Sequence, residues 1–251
     1  MNKNIEIKSI ASQKEIENRE GLTVLYRQNP IPENEQVSQA ALFLKRQELG
    51  KLLFMNHMYQ KILDTHGIII EFGVRWGQNL VTLTNLRGIY EPYNYGRKII
   101  GFDTFEGFVN VDSKDGAHSI IKNGAFSVSE NYEEYLNKLL ACHHYESPLN
   151  HIKKNFLLKG DAVVQFKRYI DEHPETIVSF AYFDFDIYQP TKGSLEMLLP
   201  LMPKGAVLGF DELLDPQFPG ETIALKEVMK LRSFKLFKNP FGGIQSYIIL
   251  D

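Results

Sequence analysis

The chain has 251 residues, of which 43% are apolar and 24% charged, with a formal net charge of −3. That length and balance fit one large α/β domain, or one domain with a modest extension, and allow a sizeable core. The near-neutral charge gives no electrostatic reason to expect nucleic acid, and no run nears the roughly 20 apolar residues that cross a bilayer.

Cys142 is the only cysteine, so no internal disulfide can form, which fits a reducing compartment. The opening MNKNIEIKSIASQKE carries no apolar signal core, and the expected location is the cytoplasm. Residues 1–33 are polar, with Pro30 and Pro32 near the end, and read as an arm or irregular lead-in. Residues 34–65 place Leu42, Leu44, Leu49, Leu52, Leu53, Met55, Met58 and Ile62 at amphipathic-helix spacing, with a break expected near Gly50. Such a segment either covers a pocket, pairs two copies of the chain, or packs on the domain as an ordinary helix. The expected division is 1–66 as arm and helical cap or oligomerisation segment, and 67–251 as the main domain.

From Gly67 onward the pattern alternates. Strand-like runs fall at 68–72, 98–102, 155–158, 178–183 and 206–210, and helix-like stretches at 78–86, 129–141, 162–172, 191–199 and 221–231. This alternation predicts an α/β fold, a mostly parallel sheet with helices on both faces. Segments 234–238 and 245–250 flank a turn-rich NPFGG and predict a terminal antiparallel hairpin. Residues 103–127 form a long connection rich in Gly, Ser and Asp, expected to be functional.

In an open parallel sheet, ligands sit outside the carboxyl ends of the strands. Gly73 and Gly77 fall at the end of the first one. Glycine lets backbone approach a ligand without a Cβ, and a helix starting near Gly77 aims free N–H groups and its positive end at the same place. A tight structural turn explains the same two glycines. The pattern is G-x-x-x-G rather than the G-x-G-x-x-G of a dinucleotide site. Asp103 ends the second strand, where a carboxylate can accept hydrogen bonds from ribose hydroxyls; capping of its own loop is the alternative. Asp161, after Gly160, is a further candidate wall of the site or a helix cap.

Two further strands end in acids. Asp184 and Asp186 share a face if the strand continues, and Asp211 and Glu212 end the next strand-like run. Neighbouring strands lie about 4.8 Å apart, so four acids converge and repel one another unless protonated or joined by a cation. Oxygen ligands suit Mg²⁺, Ca²⁺ or Mn²⁺. Capping of the following helix is the plain alternative for Asp186, which precedes Pro190. The consecutive Cys142, His143 and His144 diverge on a helix and make a poor chelate, and no G-x-S-x-G or H-E-x-x-H pattern occurs.

These residues resemble class I S-adenosylmethionine-dependent methyltransferases, and more narrowly the macrocin O-methyltransferase family, which methylates sugar hydroxyls on natural products and related glycosides. The resemblance lies in EFGVRWGQN at 71–79, GFDTFEGF at 101–108, FSVSENYEEYL at 126–136, KGDA at 159–162 and, most specifically, YFDFDIYQPTKGSLEMLLPLMPKGAVLGFDE at 182–212. It covers roughly residues 67–250. It implies a Rossmann-like seven-stranded sheet with an antiparallel last strand, S-adenosyl-L-methionine as cofactor, and Mg²⁺ or another hard divalent cation. It also implies roles: Asp184, Asp211 and Glu212 as metal ligands, Asp186 as general base, Glu71 and Gly73 at the methionine portion, Asp103 at the ribose, and Asp161 near adenine. The family has Asp-Asp where this chain has Asp211-Glu212.

The function so implied is metal-dependent methyl transfer to a hydroxyl of a sugar in a glycoside, nucleotide sugar or polysaccharide precursor, with a sugar or other small molecule as partner and a homo-oligomer through the N-terminal helical segment. The alternatives are a metal-independent O- or N-methyltransferase, a nucleotide-binding oxidoreductase, and a catalytically idle cofactor-binding subunit. The missing G-x-G-x-x-G weighs against the oxidoreductase, and the acidic cluster against the idle binder.

Overall fold

The computed structural model describes residues 11–251. They divide into two compact units, one ending at Gly50 and one running from Lys51 to Asp251, rather than at 66/67.

The first unit overturns the expected irregular lead-in. Helix α1 spans Gln13–Arg27, opened by a capping box: Glu15 N–H donates to Ser12 Oγ at 3.4 Å, while Ser12 N–H donates to Glu15 Oε2 at 2.8 Å. Short α2, Glu33–Gln36, and a tight turn at Ala40–Phe43 follow. Tyr26 packs edge-to-face on Phe43, with ring centroids 5.2 Å apart. The amphipathic helix expected from residue 34 begins only at α3, Arg46–Lys61, and runs through Gly50 without a break. A helical glycine costs about 1 kcal/mol. Phe54, Met55, Met58 and Tyr59 of the same helix are fully buried, at about 1.5–3 kcal/mol for each large apolar side chain, and that outweighs it. In the second unit these side chains and Ile62 belong to the main core.

That unit continues β1 Ile68–Phe72, α4 Gln78–Tyr90, β2 Ile99–Asp103, α5 Tyr132–Tyr145, β3 Asn155–Lys159, α6 Ala162–Glu172, β4 Val178–Phe183, α7 Tyr188–Leu198, β5 Val207–Phe210, α8 Gly220–Val228, β6 Phe237–Lys238 and β7 Ser246–Ile249. The seven strands lie in the order β3-β2-β1-β4-β5-β7-β6. The first five are parallel, and β7 runs antiparallel to both β5 and β6. The expected fold class therefore holds, including the terminal hairpin. The order reverses between β1 and β4, which is where an open α/β sheet forms its ligand crevice.

Two boundaries moved for local reasons. Helix α7 starts at Tyr188, three residues early, because Pro190 falls in its first turn, where a missing N–H breaks no helical bond. Helix α5 starts at Tyr132, because Asn131 takes a left-handed φ of 56°.

Strand alternation sends side chains to two cores. Ile69, Ile99, Phe180, Tyr182 and Val207 face α3, α4 and α5. Ile70, Ile100, Ala181 and Leu208 face α6, α7 and α8. On that second face, four strands place a phenylalanine at the same level. Phe72 pairs in register with Phe102 and Phe183, and Phe183 with Phe210. Their rings stack at 5.3, 4.9 and 5.3 Å. Each is followed by a candidate site residue: Gly73, Asp103, Asp184 or Asp211.

At the opposite strand ends, buried Arg97 grips both Glu91 oxygens at 2.9 and 3.0 Å and reaches the carbonyls of Ile62, Thr65 and Gly67 and the Ser179 hydroxyl. The long connection at 103–127 has a small core of its own, Phe108, Ile120 and Ala125, with Ile187 and Phe218. Among the described residues, no helix is long and apolar enough to cross a membrane.

Candidate active site

The loop after β1 is held by glycines and by one carboxylate. Gly73 takes φ +88°, and a Cβ there would lie 2.1 Å from the Asp184 carbonyl oxygen. Gly77 takes φ +80°, and a Cβ would lie 2.5 Å from Leu136 Cδ1. Both positions require glycine, for conformation and for space. Gly77 is also the N-cap of α4 and offers no side chain to its first-turn N–H groups, so these donors stay open towards the crevice. Asp103 at the end of β2 closes the loop from the other side. Its Oδ2 accepts from Val74 N–H and Arg75 N–H, both at 2.7 Å, and Oδ1 accepts from Phe105 N–H at 2.6 Å. The loop-capping alternative is therefore realised: Oδ2 has both lone pairs committed, and Oδ1 keeps one for a further donor.

Asp161 caps α6, accepting from Val163 N–H at 2.9 Å and Val164 N–H at 3.1 Å. It also lines a cavity of about 300 Å³ at the carboxyl ends of β2 and β3, together with Thr104, Glu106, Asn110 and Gly160. Cap and wall are thus compatible. Trp76, 40% exposed, packs edge-to-face on Tyr132 at 4.7 Å, and the Arg75 guanidinium lies 4.8 Å from the centre of the Phe126 ring.

Two of the four acids meet, while β4 stops at Phe183 and so does not carry Asp184 and Asp186 on one strand face. Asp184 and Asp211 follow register-paired phenylalanines and emerge on the α3 side, where both bind one ammonium. Lys51 Nζ stands 3.2 Å from Asp184 Oδ2 and 3.0 Å from Asp211 Oδ1. Asp211 Oδ1 also accepts from Tyr182 Oη at 2.5 Å and Gln245 Nε2 at 3.2 Å, and Asp184 Oδ2 from Asn79 Nδ2 at 3.4 Å. Asp186 takes a left-handed φ of 63°. Glu212 N–H donates to Glu221 Oε2 at 3.1 Å. Glu212 Oε2, Glu221 Oε1 and both carboxylate oxygens of Glu71 are buried without a hydrogen-bond partner.

Crowding of like charges away from water shows in the acidities. Burial, then the Asp211 charge, pushes the Asp184 carboxyl up to about 6 and that of Glu212 up to about 8. Burial and Glu212 hold Asp186 well above the usual carboxylate range, and burial and Asp184 do the same for Glu71. Burial also raises Glu221, with Asp211 adding to it. Burial works against the Lys51 charge, yet Asp184 and Asp211 together raise its pKa above the usual lysine value.

Hard oxygen donors, one of them the orphaned Glu212 Oε2, match a divalent cation in chemistry. In placement they are not yet a cage. Among the described residues no three His, Cys, Asp or Glu side chains are grouped to hold a metal, and Lys51 stands between Asp184 and Asp211.

Lys51, Glu221, Asn79, Tyr182 and Gln245 were not singled out by sequence. Lys51 and Glu221 lie on helices whose apolar spacing drew the eye, and nothing local marks either as a partner of a strand end. His143 and His144 sit at the exposed end of α5, bonded to Asn85 and the Asn150 carbonyl, away from the acids.

No family model matches the chain, nor does any curated protein. Among solved structures, the crystal structure of CalS11, calicheamicin methyltransferase, matches with 38% identity and a TM-score of 0.93, over 99% of this chain and 98% of that one. The apo structure of CalS11, named there as TDP-rhamnose 3'-O-methyltransferase of calicheamicin biosynthesis, matches with 37% identity and a TM-score of 0.84, over 96% of each chain. The O-methyltransferase NovP shares the fold, with 18% identity and a TM-score of 0.60 over 80% of each chain. A crevice at the β1/β4 reversal, a glycine-held loop and near-complete alignment with CalS11 together place this chain in the CalS11 family of class I S-adenosylmethionine-dependent O-methyltransferases.

Proposed function

We propose that the acceptor is a sugar hydroxyl, on a nucleotide sugar or glycoside, and that the acids at the ends of β4 and β5 serve a divalent cation. The observation carrying the reading is the meeting of Asp184 and Asp211 at the ends of β4 and β5, with Asp186 and Glu212 close by in sequence, in a chain that matches a TDP-rhamnose 3'-O-methyltransferase over nearly its whole length.

The cofactor brings its own leaving group, so the protein positions and deprotonates. Glu71 and Gly73 would border the methionine portion, the Gly77 end of α4 would offer N–H donors to its carboxylate, and Asp103 and Asp161 would hold the ribose and adenine sides. Asp186 would accept the hydroxyl proton, while the cofactor, when bound, supplies the methyl group and its sulfur keeps the electrons of the broken carbon–sulfur bond. Its raised pKa suits a base for a weakly acidic proton. Alignment of oxygen, carbon and sulfur supplies much of the rate. Asp184, Asp211 and Glu212 would hold the cation, which when bound makes a neutral hydroxyl more acidic.

The test is transfer of labelled methyl to a panel of TDP-sugars and glycosides, with EDTA and then with added Mg²⁺. Loss in EDTA and recovery with Mg²⁺ is expected, and full turnover in chelator rejects the cation. Metal-independent transfer is the second reading, favoured by the ammonium of Lys51 between Asp184 and Asp211. Exposed Val24, Leu25, Tyr26, Val37 and Leu42 support pairing of two copies through the N-terminal segment, which light scattering tests.

A further inference from the structure

Lys51 Nζ contacts Asp184 Oδ2 and Asp211 Oδ1, and these are its only ion-pair partners among the described residues. The same two carboxylates are those assigned above to a divalent cation. A Mg²⁺ or Mn²⁺ ion binds carboxylate oxygen at about 2.1 Å. Seated on Asp211 Oδ1, it would therefore lie within about 5 Å of an ammonium that stands 3.0 Å from that oxygen. Two positive centres so close, in a site with little water, repel strongly.

The ammonium also leaves the cluster under-compensated. It meets two of the acids, while Glu212 Oε2 and Glu221 Oε1 stay buried without a donor. A path out exists, since the Lys51 side chain keeps 23% of its surface open and its four-carbon stem can carry the charge to solvent.

We propose that Lys51 is an internal counter-ion that occupies Asp184 and Asp211 in the metal-free protein and has to leave them before a divalent cation enters. The proposal rests on the metal reading above and adds that metal uptake is an exchange of one cation for another. Lys51 acts through the two aspartates and is a positioning residue. It keeps their carboxylates facing one another while the site holds no metal.

The test compares Mn²⁺ affinity of the wild-type protein and Lys51→Met by calorimetry, without turnover. With no competing ammonium, the variant is expected to bind Mn²⁺ at least about tenfold more tightly and to melt at a lower temperature in EDTA. Equal or weaker binding by a folded variant overturns the proposal. A second measurement uses the wild-type chain alone: acetylation of Lys51 by an N-hydroxysuccinimide ester at fixed pH, read by mass spectrometry. The amine is expected to be protected in EDTA and labelled several-fold faster in Mn²⁺, and an unchanged rate also overturns the exchange. Wild-type binding of Mn²⁺ with no gain in either measurement removes the exchange and leaves the metal reading standing. Absence of Mn²⁺ binding by both proteins, with wild-type turnover intact in chelator, removes both.

Discussion

A β-carbon at Gly73 would stand 2.1 Å from the main-chain oxygen of Asp184. The loop after β1 and the acidic end of β4 are thus in backbone contact, which no larger residue permits. Gly73→Ala adds a left-handed φ penalty to this clash. It is expected to cost about 1–3 kcal/mol of stability and to weaken S-adenosylmethionine binding by more than about tenfold, read by urea denaturation and calorimetry. Unchanged affinity would detach the loop from the cofactor site.

Asp186→Asn tests the base. Asparagine tolerates the left-handed φ of 63°, so the fold is expected to hold. Turnover should fall by about 10²–10⁴-fold with cofactor affinity nearly unchanged. In the wild-type enzyme the carboxyl held above its usual range has to shed its proton to act, so turnover should climb as pH rises. A flat pH profile together with an active Asn variant would assign the base elsewhere.

The metal-free protein should lose stability as pH rises. Asp184 and Glu212 have folded values of about 6 and about 8, above their usual 3.8 and 4.5. Between the usual and raised values the folded state holds more protons than the unfolded one, and stability declines with pH in that window. The stabilising contribution is complete below about pH 4 and lost by about pH 8. Melting curves in EDTA should show this decline, and saturating Mg²⁺ should flatten it.

Arg97 lies at the far ends of the strands and should matter for stability alone. Arg97→Met removes the cation that pairs with partly buried Glu91, leaving it only Tyr59 and Asn94 as donors, and takes a donor from several carbonyls, with an expected loss of about 3–5 kcal/mol. Cofactor affinity of the protein that remains folded should be unaltered, as calorimetry would show.

The sheet could be read from sequence because its strands are unbroken apolar runs with sharp ends. Strands at Ile68–Phe72 and Val178–Phe183 and the helix at Ala162–Glu172 fall where the pattern placed them. The acids at strand ends were visible for the same reason, since each follows the last apolar residue. Lys51 was not, because its partner Asp184 is 133 residues away and no local period reports a tertiary ion pair. Glu221 was hidden in the same way, as the start of an ordinary helix. Helix α1 had its signal, the Ser12-x-x-Glu15 capping box, but the polar composition around it hid the helix. Gly50 misled in the opposite direction, because a propensity cost was read without the burial that offsets it.

The stacked rings of Phe72, Phe102, Phe183 and Phe210 tie the geometry of the proposed site to folding itself. Slipping β2, β4 or β5 by a single residue, so that Asp103, Asp184 or Asp211 takes the place of its phenylalanine, would drive a carboxylate into hydrocarbon and lift a phenyl group into the crevice. A chain that reaches its densest interior has therefore already set the spacing of its acids, and misaligned forms are rejected on packing grounds before chemistry is ever tried.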